Sequence, residues 1–216
     1  MKRMKEYFND EAMKHDDLFL KKMGLDEFYD EIEKTLNKYR NKKSILVLGC
    51  GSGLEIERIK FQCDVVGIDI SDKMLEVLKK KKLHKEINLT TRCCSFLELN
   101  FEENNFDIVL SCYAMHHFNL EQKQKIYGKV YSTLKNGGVF INGDTFAVNQ
   151  KDEKELMSKA EKIYMNENMP FGSLHLDVPF CWEHEKEVLK NVGFSQIELV
   201  KEWTKTKIYE CKKNLI

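Results

Sequence analysis

Apolar and polar positions change texture along the chain in a way that separates helix from strand. Residues 1–43 are highly charged, with Phe19, Met23, Phe28, Ile32 and Leu36 recurring at helical spacing, and Gly24 predicts a break between two helices. Ser44-Ile-Leu-Val-Leu48 is then a continuous apolar run of strand length, the pattern of a strand buried on both faces. Gly49-Cys-Gly-Ser-Gly53 follows, and Leu54–Phe61 reads as a helix. Asp64–Asp69 is a second apolar strand, after which Ser71 reads as a helix N-cap with Met74, Leu75 and Leu78 on the buried face. Further strands are expected at Ile87–Thr91, Phe106–Ser111 and Gly138–Asn142, with a helix at Glu121–Leu134 and a helix stop at Lys135–Gly138.

Alternating strands and helices predict an α/β, doubly wound, mostly parallel sheet covered on both faces. Helices are expected at 152–168 and 183–191, with Pro170 and Pro179 in the irregular segment between them. Two runs near Gln196–Val200 and Lys205–Cys211 are close enough to pair as a C-terminal antiparallel hairpin, which brings the sheet to seven strands. The expected organisation is an N-terminal helical segment, 1–43, and a main domain, 44–216, with a helical cap at about 150–182.

Composition narrows the class. The 216 residues suit one domain, and 42% hydrophobic content is enough for a core of normal size. Lys+Arg and Asp+Glu are 35 each, so net charge gives no reason to expect a nucleic-acid partner. Seven cysteines without a C-x-x-C pair suit neither a disulfide framework nor structural zinc. No apolar stretch approaches the roughly 18–20 residues that cross a bilayer, and no signal-like h-region opens the chain. The expectation is a cytoplasmic protein without a membrane partner, of open oligomeric state.

The most informative unit is the first strand, the Gly49-x-Gly51-x-Gly53 loop and Asp69 closing the second strand. Glycines at a strand-to-helix turn let a ligand lie on the backbone, and a following helix would add amide donors. An acid ending the second strand can accept hydrogen bonds from both hydroxyls of a ribose. Together these features predict a nucleoside-containing ligand at the carboxyl ends of the strands. A dinucleotide loop would place its third glycine one position later, where Leu54 stands.

This stretch resembles the first motif of the class I S-adenosylmethionine (SAM) dependent methyltransferases. Val66-Gly-Ile-Asp69-Ile-Ser resembles the family's second strand, and Asn104-Asn-Phe-Asp-Ile-Val-Leu-Ser111 its fourth-strand motif, continued by Met115-His-His-Phe118. Leu134-Lys-Asn-Gly-Gly-Val-Phe-Ile141 resembles the turn into the fifth strand, with Asn136 in place of the family's proline. The motifs lie in family order over about residues 44–143. The resemblance implies SAM as cofactor, with Gly49, Gly51 and Gly53 along its methionine and ribose and Asp69 on the ribose hydroxyls. It further implies Ile70, Ser95 and Phe96 about the adenine, and Ser111 and Cys112 facing the methionine. Where the family often has Gly-Asp, Cys94-Ser95 stand here, so the usual acid at the adenine amino group is absent.

Methyl transfer asks for an acceptor held in line with the S–CH3 bond, and a base only where the acceptor arrives protonated. His116 and His117, after the fourth strand, are the first candidates for a base or an acceptor clamp, with pocket shaping as the competing reading. His175 and Asp177 join them if the 150–182 segment folds over the site. Either pair has metal-ligand chemistry, but neither spacing is diagnostic, and no metal is expected. His15, His84 and His184 read as exposed helical residues, Cys93-Cys94 as small buried ones and Lys79–Lys82 as a solvated run. The aromatic and Met residues Tyr7, Phe8, Phe19, Tyr29, Tyr164, Met165, Met169, Phe171, Phe180 and Trp182 suggest an apolar cap over a small-molecule acceptor, or side chains that dock helices on the sheet. A tRNA methyltransferase on the same fold, a SAM-binding protein without methyl transfer and a nicotinamide oxidoreductase are the alternatives.

Overall fold

The computed structural model describes residues 2–98 and 100–215. Its centre is five parallel strands, β1 (Ser44–Leu48), β2 (Cys63–Asp69), β3 (Ile87–Cys93), β4 (Phe106–Cys112) and β5 (Leu134–Thr145). The hairpin of β6 (Gln196–Glu202) and β7 (Thr206–Lys212) joins antiparallel to β5, giving the order β3-β2-β1-β4-β5-β7-β6. Chain order reverses between β1 and β4, which opens a crevice at the carboxyl ends of those strands.

Period-two alternation sends the two halves of β1 to opposite layers. Ile45 and Val47 meet Phe28, Tyr29, Ile32 and Leu36 of α2 (Asp26–Asn37) and Leu75 and Leu78 of α3 (Asp72–Leu78). Leu46 and Leu48 share the other layer with Ile126, Tyr127 and Val130 of α4 (Leu120–Thr133) and Val188 and Leu189 of α6 (Trp182–Asn191). Ser71 caps α3 by accepting from the Met74 amide at 3.0 Å, as its position predicts. Asn119 caps α4 with Gln122 in a reciprocal box.

Two further helices lie beyond the sheet layers. The first, α1 (Met4–Glu11), leads into a wide π-helical turn at Asp17–Lys22, and Gly24 (φ +67°) makes the break before α2. The second, α5 (Gln150–Asn166), docks Ala160 and Tyr164 on Leu174 and Val178. Both chain regions converge: the Met4 amide donates to the Ser173 carbonyl at 2.8 Å, and Arg3 and Leu174 form an antiparallel bridge.

Several expectations change. No helix forms over 54–61; a single 3-10 turn, Ile56–Arg58, is followed by extended chain. Ile59, with φ −77° and ψ 119°, is already extended, so the chain leaves the helical region after Arg58 and runs on to β2. Lys135–Gly138 is a turn folded into a long β5, bulging out where the pairing jumps from Phe106–Leu134 to Ile108–Val139. Cys93 is exposed and Cys94 half-buried, because β3 is an edge strand with an open face. Lys81 is not solvated but held by Asp16 at 2.7 Å and Glu57 at 2.5 Å. His84 sits in a loop, and His184 is stacked on Phe180 and bonded to Glu153 at 2.5 Å.

Lys123 and Glu185 form an ion pair of 2.6 Å between α4 and α6, both fully buried, and Glu185 also accepts from the hydroxyls of Tyr127 and Tyr209. Removing one member strands the other without solvent. Glu185→Leu should therefore cost about 3–5 kcal/mol in urea unfolding, and adding Lys123→Met should recover part of that loss. A single-variant cost below about 1 kcal/mol would show that the pair is not dry.

Candidate active site

The glycine loop leaves β1 sharply. Gly49 has φ +67°, and a Cβ there would sit 2.6 Å from the Ala114 Cβ, so both backbone shape and space require glycine. Asp69, at the end of β2, ties the loop to the next element. Its Oδ2 accepts from the Gly51 amide and its Oδ1 from the Ser71 amide, each at 2.8 Å. Burial raises the Asp69 carboxyl above its usual range, and these amide bonds oppose that rise. Each carboxylate oxygen has lone-pair capacity beyond one amide, so the group can still accept from a ligand.

Two adjoining cavities open above the strand ends. The first, of about 110 Å³, is lined by Gly49, Cys50, Gly51, Asp69, Ile70, Ser95, Phe96 and Cys112. Gly53 and Ser111 do not line it. Gly53 faces Leu78, while Ser111 is fully buried and donates its hydroxyl to the Leu48 carbonyl at 3.1 Å. The second, of about 320 Å³, lies between α1, the π-helical turn and the 175–177 segment. Phe8, His15, Phe19, Tyr113 and His117 border both. Tyr113 holds a left-handed conformation, φ +50°, fixed by its amide on the Gly143 carbonyl and its hydroxyl against Thr206. Such backbone geometry in a non-glycine residue is held by its surroundings and concentrates at functional sites.

Glu55, two residues beyond the glycine loop, also lines the first cavity, and its Oε1 has no hydrogen-bond partner among the described residues. Burial, opposed by a hydrogen bond from its own backbone amide and then by Lys81, pushes its carboxyl up to about 8. This buried acid next to a ligand pocket was legible only as a charged residue at a position read as helix. His15 is likewise a cavity residue that the sequence reading set outside the site, whereas Tyr29 was among the aromatic residues expected over the site and lines the first cavity. His15 is not exposed: its Nδ1 lies 2.9 Å from the Ser52 hydroxyl of the glycine loop, which donates to Asp16 at 2.5 Å. Asn9 accepts from the Ser71 hydroxyl at 2.6 Å. The N-terminal segment is thereby latched to the loop and to the α3 cap.

Three of the six histidines, His116, His117 and His175, come together on the far wall. His116 Nδ1 lies 2.5 Å from Asp144 Oδ1, and Asp144 also accepts from the Met115 and His116 amides at 2.8 and 3.1 Å. Burial lowers His116, but Asp144 and then Asp177 outweigh it and set it at about 9. His117 is driven well below its usual value by burial and by the charge of His116. His175 stacks on Tyr7 at 3.6 Å and is lowered by burial. Asp177, half-exposed to the second cavity, is held below the usual carboxylate range by these imidazoles despite partial burial. The aromatic residues of 164–182 dock α5 and α6 instead of lining either cavity, and Met165 is solvent-exposed.

With this geometry in place, comparison with known proteins is informative. Residues 45–138 match the family model described as a methyltransferase domain. A carboxy-S-adenosyl-L-methionine synthase of Nautilia profundicola is 23% identical over 188 residues, covering 80% of this chain and 78% of that protein. A sterol 24-C-methyltransferase of Saccharomyces cerevisiae is 30% identical over 159 residues, 69% of this chain and 38% of its own length. Among solved structures, DhpI in complex with SAH superposes with a TM-score of 0.72 at 16% identity, covering 97% of this chain and 94% of that one.

The Glu55 carboxyl makes the folded state sensitive to pH in a defined direction. Its folded pKa of about 8 lies above the value of about 4.5 for a free glutamate, so the folded chain binds the extra proton. The stability associated with that proton is present below pH about 4.5 and is lost as pH rises through about 8. Glu55→Gln should be more stable than the parent in mildly alkaline urea titrations, with the difference shrinking as pH falls. A difference independent of pH would mean that Glu55 is already ionised in the fold.

Proposed function

We propose that this chain, which belongs to the class I SAM-dependent methyltransferases and uses SAM, transfers the methyl group to a small-molecule acceptor held in the second cavity. When bound, SAM supplies an electrophilic methyl on a sulfonium, and attack by the acceptor breaks the C–S bond and leaves S-adenosylhomocysteine. The chain's own residues must bind, orient and exclude water.

The observation that carries this reading is the unpartnered Glu55 oxygen beside Asp69 in one apolar pocket. A ligand with ribose hydroxyls and an ammonium group brings hydrogen-bond donors to both acids. In our reading Asp69 holds the ribose, while Gly49 and Gly51 let the ligand lie on the backbone, and Cys112 faces its methionine part. Ile70, Ser95 and Phe96 flank the adenine. Gly53 and Ser111 act through the shape of the loop and of the β1–β4 junction. The first cavity is smaller than the roughly 300 Å³ that small-molecule pockets start from, so the latched segment 2–23 must lift for SAM to enter. Together with 167–178 that segment forms the cap, while α2 belongs to the sheet layer.

Acceptors meet an apolar chamber with one polar wall. His117 borders both cavities, with His116, His175 and Asp177 beside it, and these side chains clamp the acceptor toward the methyl group. Like the sterol methyltransferase it resembles, the chain would act on a small molecule. Likeness to carboxy-SAM synthases raises a second reading, in which SAM itself is modified. Among the described residues lining the two cavities none is Arg or Lys to pair a second carboxylate beyond the one SAM itself carries, which favours methyl transfer. No described helix is long and apolar enough to cross a membrane.

Asp69→Ala should weaken SAM binding by about 1.5–3 kcal/mol in titration calorimetry, the loss for hydrogen bonds to a charged group. Unchanged affinity would remove Asp69 from the site. His117→Ala should cut the release of S-adenosylhomocysteine in the presence of small-molecule acceptor pools while leaving SAM affinity within about twofold, as expected of a group that acts beyond cofactor binding. Turnover on total RNA, and none on small molecules, would overturn the acceptor class.

A further inference from the structure

The polar wall of the second cavity has the geometry of a cation site. His116 Nε2 lies 3.5 Å and His117 Nδ1 3.4 Å from the same oxygen, Asp177 Oδ1. One ligating atom from each of these three residues falls within 4.8 Å of the others. Contacts this long are poor hydrogen bonds. They match the edge of a tetrahedron, about 3.3 Å, around an ion bonded at about 2.0 Å to nitrogen and oxygen.

We infer that His116, His117 and Asp177 hold one divalent transition-metal cation at the acceptor end of the active site. Three further observations support this. First, His116 has the outer partner that metal-bound histidines require: its Nδ1 is fixed on the buried Asp144, which leaves Nε2 for the metal. Second, the parts are held before any ion arrives. The Val178 amide donates to the His116 carbonyl at 2.7 Å, locking the 175–178 segment onto the turn that carries both imidazoles. Third, the cavity is lined by the carboxylates Asp177 and Glu11, with the buried Asp144 behind His116, and none of the described residues lining it is Arg or Lys. His117 would exchange its 3.1 Å contact with the Leu176 carbonyl for the ion.

Two nitrogens and one oxygen suit zinc, iron, cobalt or nickel better than magnesium or calcium, which favour all-oxygen shells. Three protein ligands leave a coordination position open, and Asp177 directs it into the second cavity, where an oxygen or thiol of the acceptor can take it. The inference rests on the acceptor reading of that cavity, but metal uptake is measurable without any acceptor.

The test uses the untagged full chain, stripped with a chelator and titrated with Zn²⁺ by calorimetry and with Co²⁺ by absorption. One equivalent of Co²⁺ should bind with visible d–d bands and no thiolate charge-transfer band, which separates this site from the seven free cysteines. Asp177→Ala, at a half-exposed position, should weaken uptake about 100-fold or more, and Asp144→Asn about 10–100-fold. The affinity of Asp177→Ala for S-adenosylhomocysteine should be unchanged. No saturable uptake by the parent chain, a thiolate band, or uptake indifferent to Asp177→Ala would each overturn the inference. Loss of metal uptake together with intact S-adenosylhomocysteine binding in the parent would leave the methyltransferase reading standing.

Discussion

The carboxylate of Asp69 is the joint on which the site is built. It is buried at the end of β2 and must be satisfied there, since an unpaired charge in that position would not be tolerated. Its two amide partners belong to different elements, the glycine loop and the cap of α3. One side chain therefore fixes the mouth of β1 relative to the helix that follows β2. The N-terminal segment then bonds to those same two places, through His15 on Ser52 and Asn9 on Ser71. Sheet, loop and cover are registered to one another through a single acid.

A consequence is that residues far apart in the chain share one chamber. The fourth-strand turn brings His116 and His117, the segment after α5 brings His175 and Asp177, and α1 brings Tyr7 and Phe8. Backbone bonds from Met4 to Ser173 and from Val178 to the His116 carbonyl draw these three regions together. The resulting cavity carries Tyr7 and Phe8, with Glu11, on the α1 side and imidazoles with Asp177 on the other. This division suits a substrate that is held by shape at one end and by a polar group at the other.

The sheet and its cofactor crevice were legible because buried parallel strands and glycine turns leave local signatures. Ile45–Leu48 could not be anything but a strand buried on both sides, and Asp69 could be found by its place at the end of the next one. The short 3-10 turn after the loop was not legible, because Ile56 and Ile59, three apart, suit a longer helix as well as a single turn. His15 and Lys81 were misread, and Glu55 was passed over, for a related reason. Charged residues in an amphipathic stretch look solvated until a distant segment covers them. The histidine wall was visible as two pairs, His116-His117 and His175-x-Asp177, but their convergence depends on tertiary contacts that no spacing encodes. Cys93 and Cys94 show the reverse error, since β3 has no covering strand beyond it.

The account stands or falls on what the crevice above β1 and β4 binds. Calorimetric titration of the purified chain, freed of any carried-over ligand, with SAM, S-adenosylhomocysteine and NAD measures this directly. The account predicts saturable one-to-one binding of the first two and none of NAD, because the loop spacing and the hydrogen-bond acceptors of Asp69 and Glu55 suit a compact nucleoside that carries a ribose and an ammonium group. Binding of NAD with no response to the other two would contradict it and leave only the fold.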